Sequence, residues 1–326
     1  MLTNDATTRA YVLEKWVNQL LAPKTTIVSV SGGLSSAYAL KLALEQETKV
    51  TAVFADVKGT GYSHFWSDLP EIDYLLHERF GGESKGAYRT LWQVSNALNI
   101  PIERLEDGRS IWAVAGQSRM FRLFAGSTAF CKASEVLKRS IIASWIECNY
   151  PAGTYRIALG MGVLEPHRIK SAQAWWSTRL GWNVEVYSPI IRHYQQTGQA
   201  IDNCHIIDWA NENGIEISDA YLNNMPHDNC NKFCFMAGQT QYANAYRIDP
   251  MGYKYAAWQE MRLNAAGRLD ATILGIERNG VKRPITLTKF IELIESGDVN
   301  MKDMGHGCSC VAYPTQQPLF TLPEIS

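Results

Sequence analysis

The sequence predicts an α/β protein, a doubly wound and mainly parallel sheet followed by a helical, cysteine-rich C-terminal portion. Three observations carry that expectation. Thr26-Ile27-Val28-Ser29-Val30 is a short β-branched run that meets Ser31-Gly32-Gly33-Leu34-Ser35-Ser36 and then the helical stretch Ala37–Leu44. A second apolar run, Lys49–Asp56, follows so soon that strand, helix and strand imply a right-handed parallel crossover. Short strands then alternate with helices to about residue 195, beyond which helical spacing prevails and most of the cysteines gather.

Taken in order, Tyr11–Leu21 has helical spacing through Leu13, Trp16, Val17 and Leu20 and stops before Pro23. The second strand places Asp56 at its carboxyl end, where ligands sit in open α/β sheets. Residues 57–88 are rich in Gly, Ser and acidic groups around a helical piece at Pro70–Phe80, which predicts a surface excursion or lid. Tyr88–Leu98 reads as a helix and Ile100–Leu105 as a third strand. Cys131–Cys148 reads as one long amphipathic helix with Val136, Leu137, Ile141, Ile142 and Trp145 on its apolar side. Tyr155–Leu159 is a strand running into Gly160-Met161-Gly162, and Val184–Val186 another, ending at Tyr187-Ser188-Pro189. The expected division is a nucleotide-binding α/β domain over 1–195 with the mainly helical portion, 196–326, packed on it.

A chain of 326 residues is long enough to bury a full core. Its net charge of −1 excludes a global basic field for coating nucleic acid and leaves a local basic groove open. There is no apolar run of the ~18 residues a membrane span needs. Asp5, Arg9, Glu14 and Lys15 interrupt the N-terminal segment, so no secretory signal is expected and the cytoplasm is the expected compartment. Seven cysteines in such a chain read as thiols or metal ligands rather than disulfides.

The Ser31–Ser36 loop carries the most chemistry. Gly32 and Gly33 let the backbone turn sharply and approach a ligand, and the loop amides and helix N-terminus that follow favour a phosphate. Ser31, Ser35 and Ser36 add hydroxyls around the same space. No Gly-Lys-Ser/Thr closes the loop and no G-x-G-x-x-G is present, so it is neither a Walker loop nor a dinucleotide fingerprint. The bland alternative is a strand–helix turn with no ligand.

After the Tyr155–Leu159 strand, Gly160, Glu165, His167 and Arg168 suit phosphate and ribose contacts, Arg168 foremost because a planar guanidinium grips phosphate bidentately. The alternative is a surface ion pair between Glu165 and Arg168. Cys230-Asn231-Lys232-Phe233-Cys234 sets two thiols three residues apart in a polar turn, a spacing able to ligate one metal or cluster. Cys308 and Cys310 add two more in a Gly-containing tail. Cys131 opens a helix beside Lys132, Lys138 and Arg139, which favours a thiolate; a buried, inert thiol is its alternative. Cys148 and Cys204 show no pairing pattern and read as structural. His227 is open between ligand, acid–base and plain turn residue, while Trp175, Trp176 and Trp182 read as core or lid packing.

The loop resembles the PP-loop of the ATP-pyrophosphatase and PAPS-reductase superfamily, usually Ser-Gly-Gly-x-Asp-Ser, with Ser35 in place of the Asp. Together with Phe54-Ala55-Asp56, Cys131–Lys138, Gly160…Glu165-Pro166-His167-Arg168, Tyr187-Ser188-Pro189-Ile190, His227–Gln239 and the Cys308/Cys310 tail, it is similar to the PAPS-reductase-like family of phages and bacteria. That family lies within the adenine nucleotide alpha-hydrolase-like superfamily. The chain departs from it at Asn231-Lys232, where Gly-Gly is common, and at Val57-Lys58-Gly59-Thr60-Gly61, where Thr-Gly-x-Glu is usual. It also lacks a Glu-Cys-Gly-x-His-like motif.

The resemblance implies an adenine nucleotide alpha-hydrolase-like fold that binds ATP or a related adenine nucleotide with Mg²⁺. Ser31, Gly32, Gly33, Ser35, Ser36, Asp56, Gly160, Glu165 and Arg168 would hold the nucleotide, with Ser36, Asp56 and Arg168 in catalytic roles. It further implies a [4Fe-4S] cluster on Cys131, Cys230 and Cys234, with Cys308 or Cys310 as a fourth ligand, or zinc in its place. Three protein thiolates would leave one iron open to sulfide; a fourth would close the cluster. The implied activity is adenylation of an acceptor with pyrophosphate release, coupled to cluster-assisted sulfur transfer, the acceptor being a base, nucleotide or nucleic acid. Two alternatives stand beside it: a PAPS/APS-type sulfonucleotide reductase with its nucleophile at Cys308 or Cys310, and a non-enzymatic, zinc-stabilised nucleotide-binding module. A homodimer in the cytoplasm, that of the bacterial host for a phage-encoded chain, completes the expectation.

Overall fold

Ile27 and Val28 lie on opposite faces of the first strand, and each face has its own layer of helices. The structure, a computed structural model, describes residues 23–59, 78–118, 131–265, 272–278 and 281–303. The helix expected at 11–21, most of the piece at 70–80 and the tail with Cys308 and Cys310 lie outside them.

Five strands, β1 (Thr25–Ser29), β2 (Val50–Asp56), β3 (Ile102–Glu106), β4 (Tyr155–Leu159) and β5 (Glu185–Tyr187), pair in the order β3-β2-β1-β4-β5. All four pairings are parallel. Because alternate side chains leave a strand on opposite sides, Val28, Phe54 and Ala158 face one layer and Ile27, Val53 and Ile157 the other. The first layer comprises α1 (Leu34–Gln46), α2 (Lys85–Ala97), and, beyond a short α3 (Ile111–Ser118), two later helices that contribute Ile190 and Ile206.

The second layer is built by a helix, α4, that runs through Lys132–Ser134, a π-helical turn at Glu135–Arg139 and Ser140–Asn149, together with α5 (Pro166–Leu180). A single α-helix is the expectation for 131–148; the π turn interrupts it. The next two helices are α6 (Pro189–Thr197) and α7 (Asn203–Glu212). Ile206 and Ala210 of α7 belong to the same buried cluster as Val28 and Phe54, so the core of the sheet extends past residue 195.

A third cluster joins Val57, Phe80, Trp112 and Leu137 to Phe233, Tyr242, Tyr253 and Phe290. Its later members lie after α8 (Asp219–Leu222), on or beside α9 (Gln239–Ile248), α10 (Pro250–Ala265) and α11 (Leu287–Ser296). The C-terminal portion is therefore packed onto the loops leaving the parallel sheet. Between α10 and α11 lies an antiparallel hairpin, β6 (Leu274–Arg278) and β7 (Val281–Ile285), which the sequence pattern does not announce. Gly275 pairs with Pro284 there, two residues that depress strand propensity and are tolerated because a two-stranded ribbon has only edges.

Trp176 is buried beneath the sheet as expected, but Trp182 is 90 % exposed. Gly181, at φ +102°, ends α5 and turns the chain outward before Trp182, which removes it from the packing expected of it.

Candidate functional site

The chain passes from β1 outward to β2 and β3, then returns to the other side of β1 for β4. The carboxyl ends of β1 and β4 are thus the topological switch point, where the loops diverge and ligands bind in open α/β sheets. The loop after β1 is Val30–Gly33. Gly32 adopts φ +78°, and a Cβ on it would lie 2.9 Å from Ala87 Cβ and 3.1 Å from the Ala87 carbonyl oxygen. Only glycine serves both demands. Gly33 is the N-cap of α1, its side of the helix closed by no side-chain hydrogen bond and no acidic residue in the first turn. The positive end of the helix dipole has no acidic side chain in its first turn to answer it.

Ser36 shapes this loop. Its hydroxyl donates to the Gly33 carbonyl at 2.8 Å and accepts from the Ser31 amide at 3.0 Å, with Ser31 Oγ 3.2 Å away. Ser36 is buried, while Ser31, Gly33 and Ser35 are half-buried. An ideal Cβ on Gly33 would stand 3.6 Å from both Ser31 Oγ and Tyr221 Oη, so two hydroxyls border the space over that residue.

The loop after β4 comes from the opposite side. A Cβ on Gly160 would fall 2.5 Å from Ser36 Cα and 2.8 Å from its amide nitrogen, so the loop after β4 touches the first turn of α1 backbone to backbone. Ser188, N-cap of α6, donates to the Met161 carbonyl at 2.6 Å and pins this loop. Glu165 Oε2 accepts from the Gly162 amide at 3.2 Å, and Arg168 Nη1 lies 2.6 Å from Glu165 Oε1. The Glu165–Arg168 pair therefore forms, but with Arg168 only 5 % exposed it is not a surface pair.

Asp56 ends β2 as expected, with its carboxylate occupied by the protein. Oδ1 accepts from the Lys58 amide at 2.8 Å and from Tyr88 Oη at 2.7 Å, and Arg104 Nη2 lies 2.7 Å from Oδ2. Burial, reinforced by the Asp56 charge, holds the Tyr88 phenol above its ordinary range, so it stays a donor.

Beside α2 lies a buried polar cluster that sequence reasoning missed. Ser84 caps α2, accepting from the Ala87 amide at 3.0 Å and donating to Asp228 Oδ2. Ser218, N-cap of α8, donates to the same oxygen. Burial raises the Asp228 carboxyl, against the pull of the two hydroxyls. Glu83 pairs with Lys138 at 2.6 Å and accepts the Cys230 amide. Desolvation raises Glu83 and Lys138 opposes that rise. Ser84 and Ser218 carried a readable signal, a hydroxyl residue directly before a helix; their shared carboxylate did not.

The thiols are placed as follows. Cys131 is the N-cap of α4 and is buried, as are Cys230 and Cys234, and all three share the C-terminal cluster with Phe233 and Trp112. Lys132 pairs with Glu135 and Lys138 with Glu83, so both lysines near Cys131 already have carboxylate partners. Among the described residues no three His, Cys, Asp or Glu side chains come together as a metal-ligand set, and Cys308 and Cys310 of the expected set lie outside those residues. Cys148 and Cys204 are exposed, and His227 is buried. Cys230, Asn231 and Lys232 all adopt positive φ, +54°, +49° and +76°, the conformation glycine accommodates at no cost. Asn231 anchors the strained turn by donating to the Phe80 carbonyl at 2.8 Å.

No family model and no curated protein matches this chain.

Proposed function

We propose that the chain binds ATP or a related adenine nucleotide, as its Mg²⁺ complex, over the Ser31–Ser36 loop and transfers the adenylyl group to an acceptor. The observation that carries this is the Gly32–Gly33 loop leading into the uncapped N-terminus of α1, at the switch point beside the loop after β4. Loop amides and the helix dipole favour the β- and γ-phosphates there, and the sharp turn admits them close to the backbone. The acceptor's nucleophilic atom attacks the α-phosphorus, the bond to the bridging oxygen breaks, and pyrophosphate leaves with the electron pair. Preorganised amides offset the charge growing on that leaving group.

Ser36 supports the loop in this scheme through its bond to Gly33, and Ser31 and Ser35 supply hydroxyls at its rim. Arg168, buried and paired with the half-buried Glu165, offers a guanidinium on the β4 side. Asp56 acts from behind, holding Tyr88 and Arg104 at the end of β2.

Gly33→Ala tests it. Gly33 has φ −94° and ψ 149°, open to any residue, and the added methyl meets only ordinary contacts at 3.6 Å. The variant should fold as the wild type does and lose ATP binding by titration calorimetry, since the methyl occupies the phosphate's place. Absence of ATP binding by the wild type, or equal binding by the variant, would overturn the proposal.

A further inference from the structure

We infer that Tyr221, from the C-terminal portion, is a phosphate-contacting residue of the nucleotide site; this rests on the reading of Ser31–Ser36 as a nucleotide loop. Tyr221 Oη and Ser31 Oγ both lie 3.6 Å from where a Cβ on Gly33 would be. The two hydroxyls therefore border the same space above the N-cap of α1, one from the loop and one from a helix nearly two hundred residues away in sequence. A phenol donates one hydrogen bond to a phosphate oxygen without carrying charge of its own. Tyr221 is half-buried, its ring leaving little freedom to lose when a ligand arrives.

The position of Tyr221 is not incidental to the fold. It sits on α8, whose N-cap is Ser218, and its own amide donates to the Ser218 carbonyl at 3.0 Å. Ser218 Oγ donates to Asp228 Oδ2, the oxygen that also receives Ser84 Oγ. Ser84 in turn caps α2, and Ala87 of α2 is the residue against which Gly32 packs. One buried carboxylate thus ties the element beneath Gly32 to the element over Gly33. The approach is close enough that a Cβ on Gly86 would strike Ser218 Oγ at 2.4 Å. Asp228 is a positioning residue in this arrangement, acting through the two serines. The C-terminal portion then completes the nucleotide site as well as packing against it.

The test is a set of titrations on the full chain with ATP, pyrophosphate and adenosine, comparing wild type with Tyr221→Phe. Removing a hydroxyl that bonds a charged oxygen should weaken ATP and pyrophosphate roughly tenfold or more. Adenosine affinity should stay as in the wild type. In a Ser218→Ala background the same change should cost less, because Tyr221 has already lost its placement. Wild-type affinity for ATP and pyrophosphate in Tyr221→Phe would overturn the inference and leave the nucleotide site standing. An equal loss for adenosine would also overturn it, since the hydroxyl would then not be acting on phosphate. A wild-type chain that binds none of the three would overturn both.

Discussion

Gly160 and Ser36 meet at the backbone. A methyl group on Gly160 would stand 2.5 Å from Ser36 Cα, a separation that Cβ atoms do not tolerate. The first turn of α1, which follows β1, and the loop after the neighbouring β4 therefore share one surface, and glycine at 160 is the condition for it.

Gly160→Ala should force these elements apart. Overpacking against backbone cannot be relieved by a rotamer change, so a loss of about 2–3 kcal/mol in stability is expected by urea denaturation. ATP affinity should fall as well, because the first turn of α1 is displaced. An alanine variant as stable as the wild type would show that the strands can slide to admit it.

Lys138→Met and Glu83→Gln each break a buried ion pair and leave its partner without a charge to answer it. Each should cost about 3–5 kcal/mol. The double variant should cost much less than the sum, since it removes both charges together. Because Glu83 also receives the Cys230 amide, the Glu83 variant should in addition speed hydrogen exchange at Cys230.

Lys232→Gly should stabilise the chain. Lysine at φ +76° carries a steric penalty that glycine does not, worth about 1 kcal/mol, set against the greater freedom glycine has when unfolded and the ion pair to Asp249 at 3.4 Å. A net gain of a few tenths of a kcal/mol is expected by urea denaturation. Asn231→Gly should gain nothing, because it forfeits the bond to the Phe80 carbonyl.

Glu260 sets a pH dependence. Burial pushes its carboxyl up to about 7, against hydrogen bonds from the Ile273 and Leu287 amides. The folded chain holds this proton where the unfolded chain, at an ordinary ~4.3, has released it. Stability should therefore fall as pH rises from about 4.5 to 7 and level off above, by about 3 kcal/mol from this group. Glu260→Gln should flatten that slope in denaturation curves measured between pH 5 and 8. An unchanged slope would place the dependence elsewhere.

Much of the scaffold was legible along the chain. Tyr155–Leu159 stands where its apolar run put it, and β2 and β3 lie within a few residues of expectation. The Gly32–Gly33 turn and the position of Asp56 at a strand end followed from local spacing. Strands, helices and tight turns are set by the few residues they contain, so their periodicity survives in the sequence. The β6–β7 hairpin did not, because Gly275 and Pro284 hide the alternation that marks a strand.

What the sequence determined by itself, then, is the parallel sheet, the glycine loop and the residues offered at the ends of its strands. Only the tertiary structure decided their partners: Asp56 with Tyr88 and Arg104, Glu83 with Lys138, and Asp228 with Ser84 across 144 positions. It also brought Tyr221 over Gly33. Buried polar groups must find complementary groups wherever the chain's packing brings them, and that demand leaves no period or spacing to read.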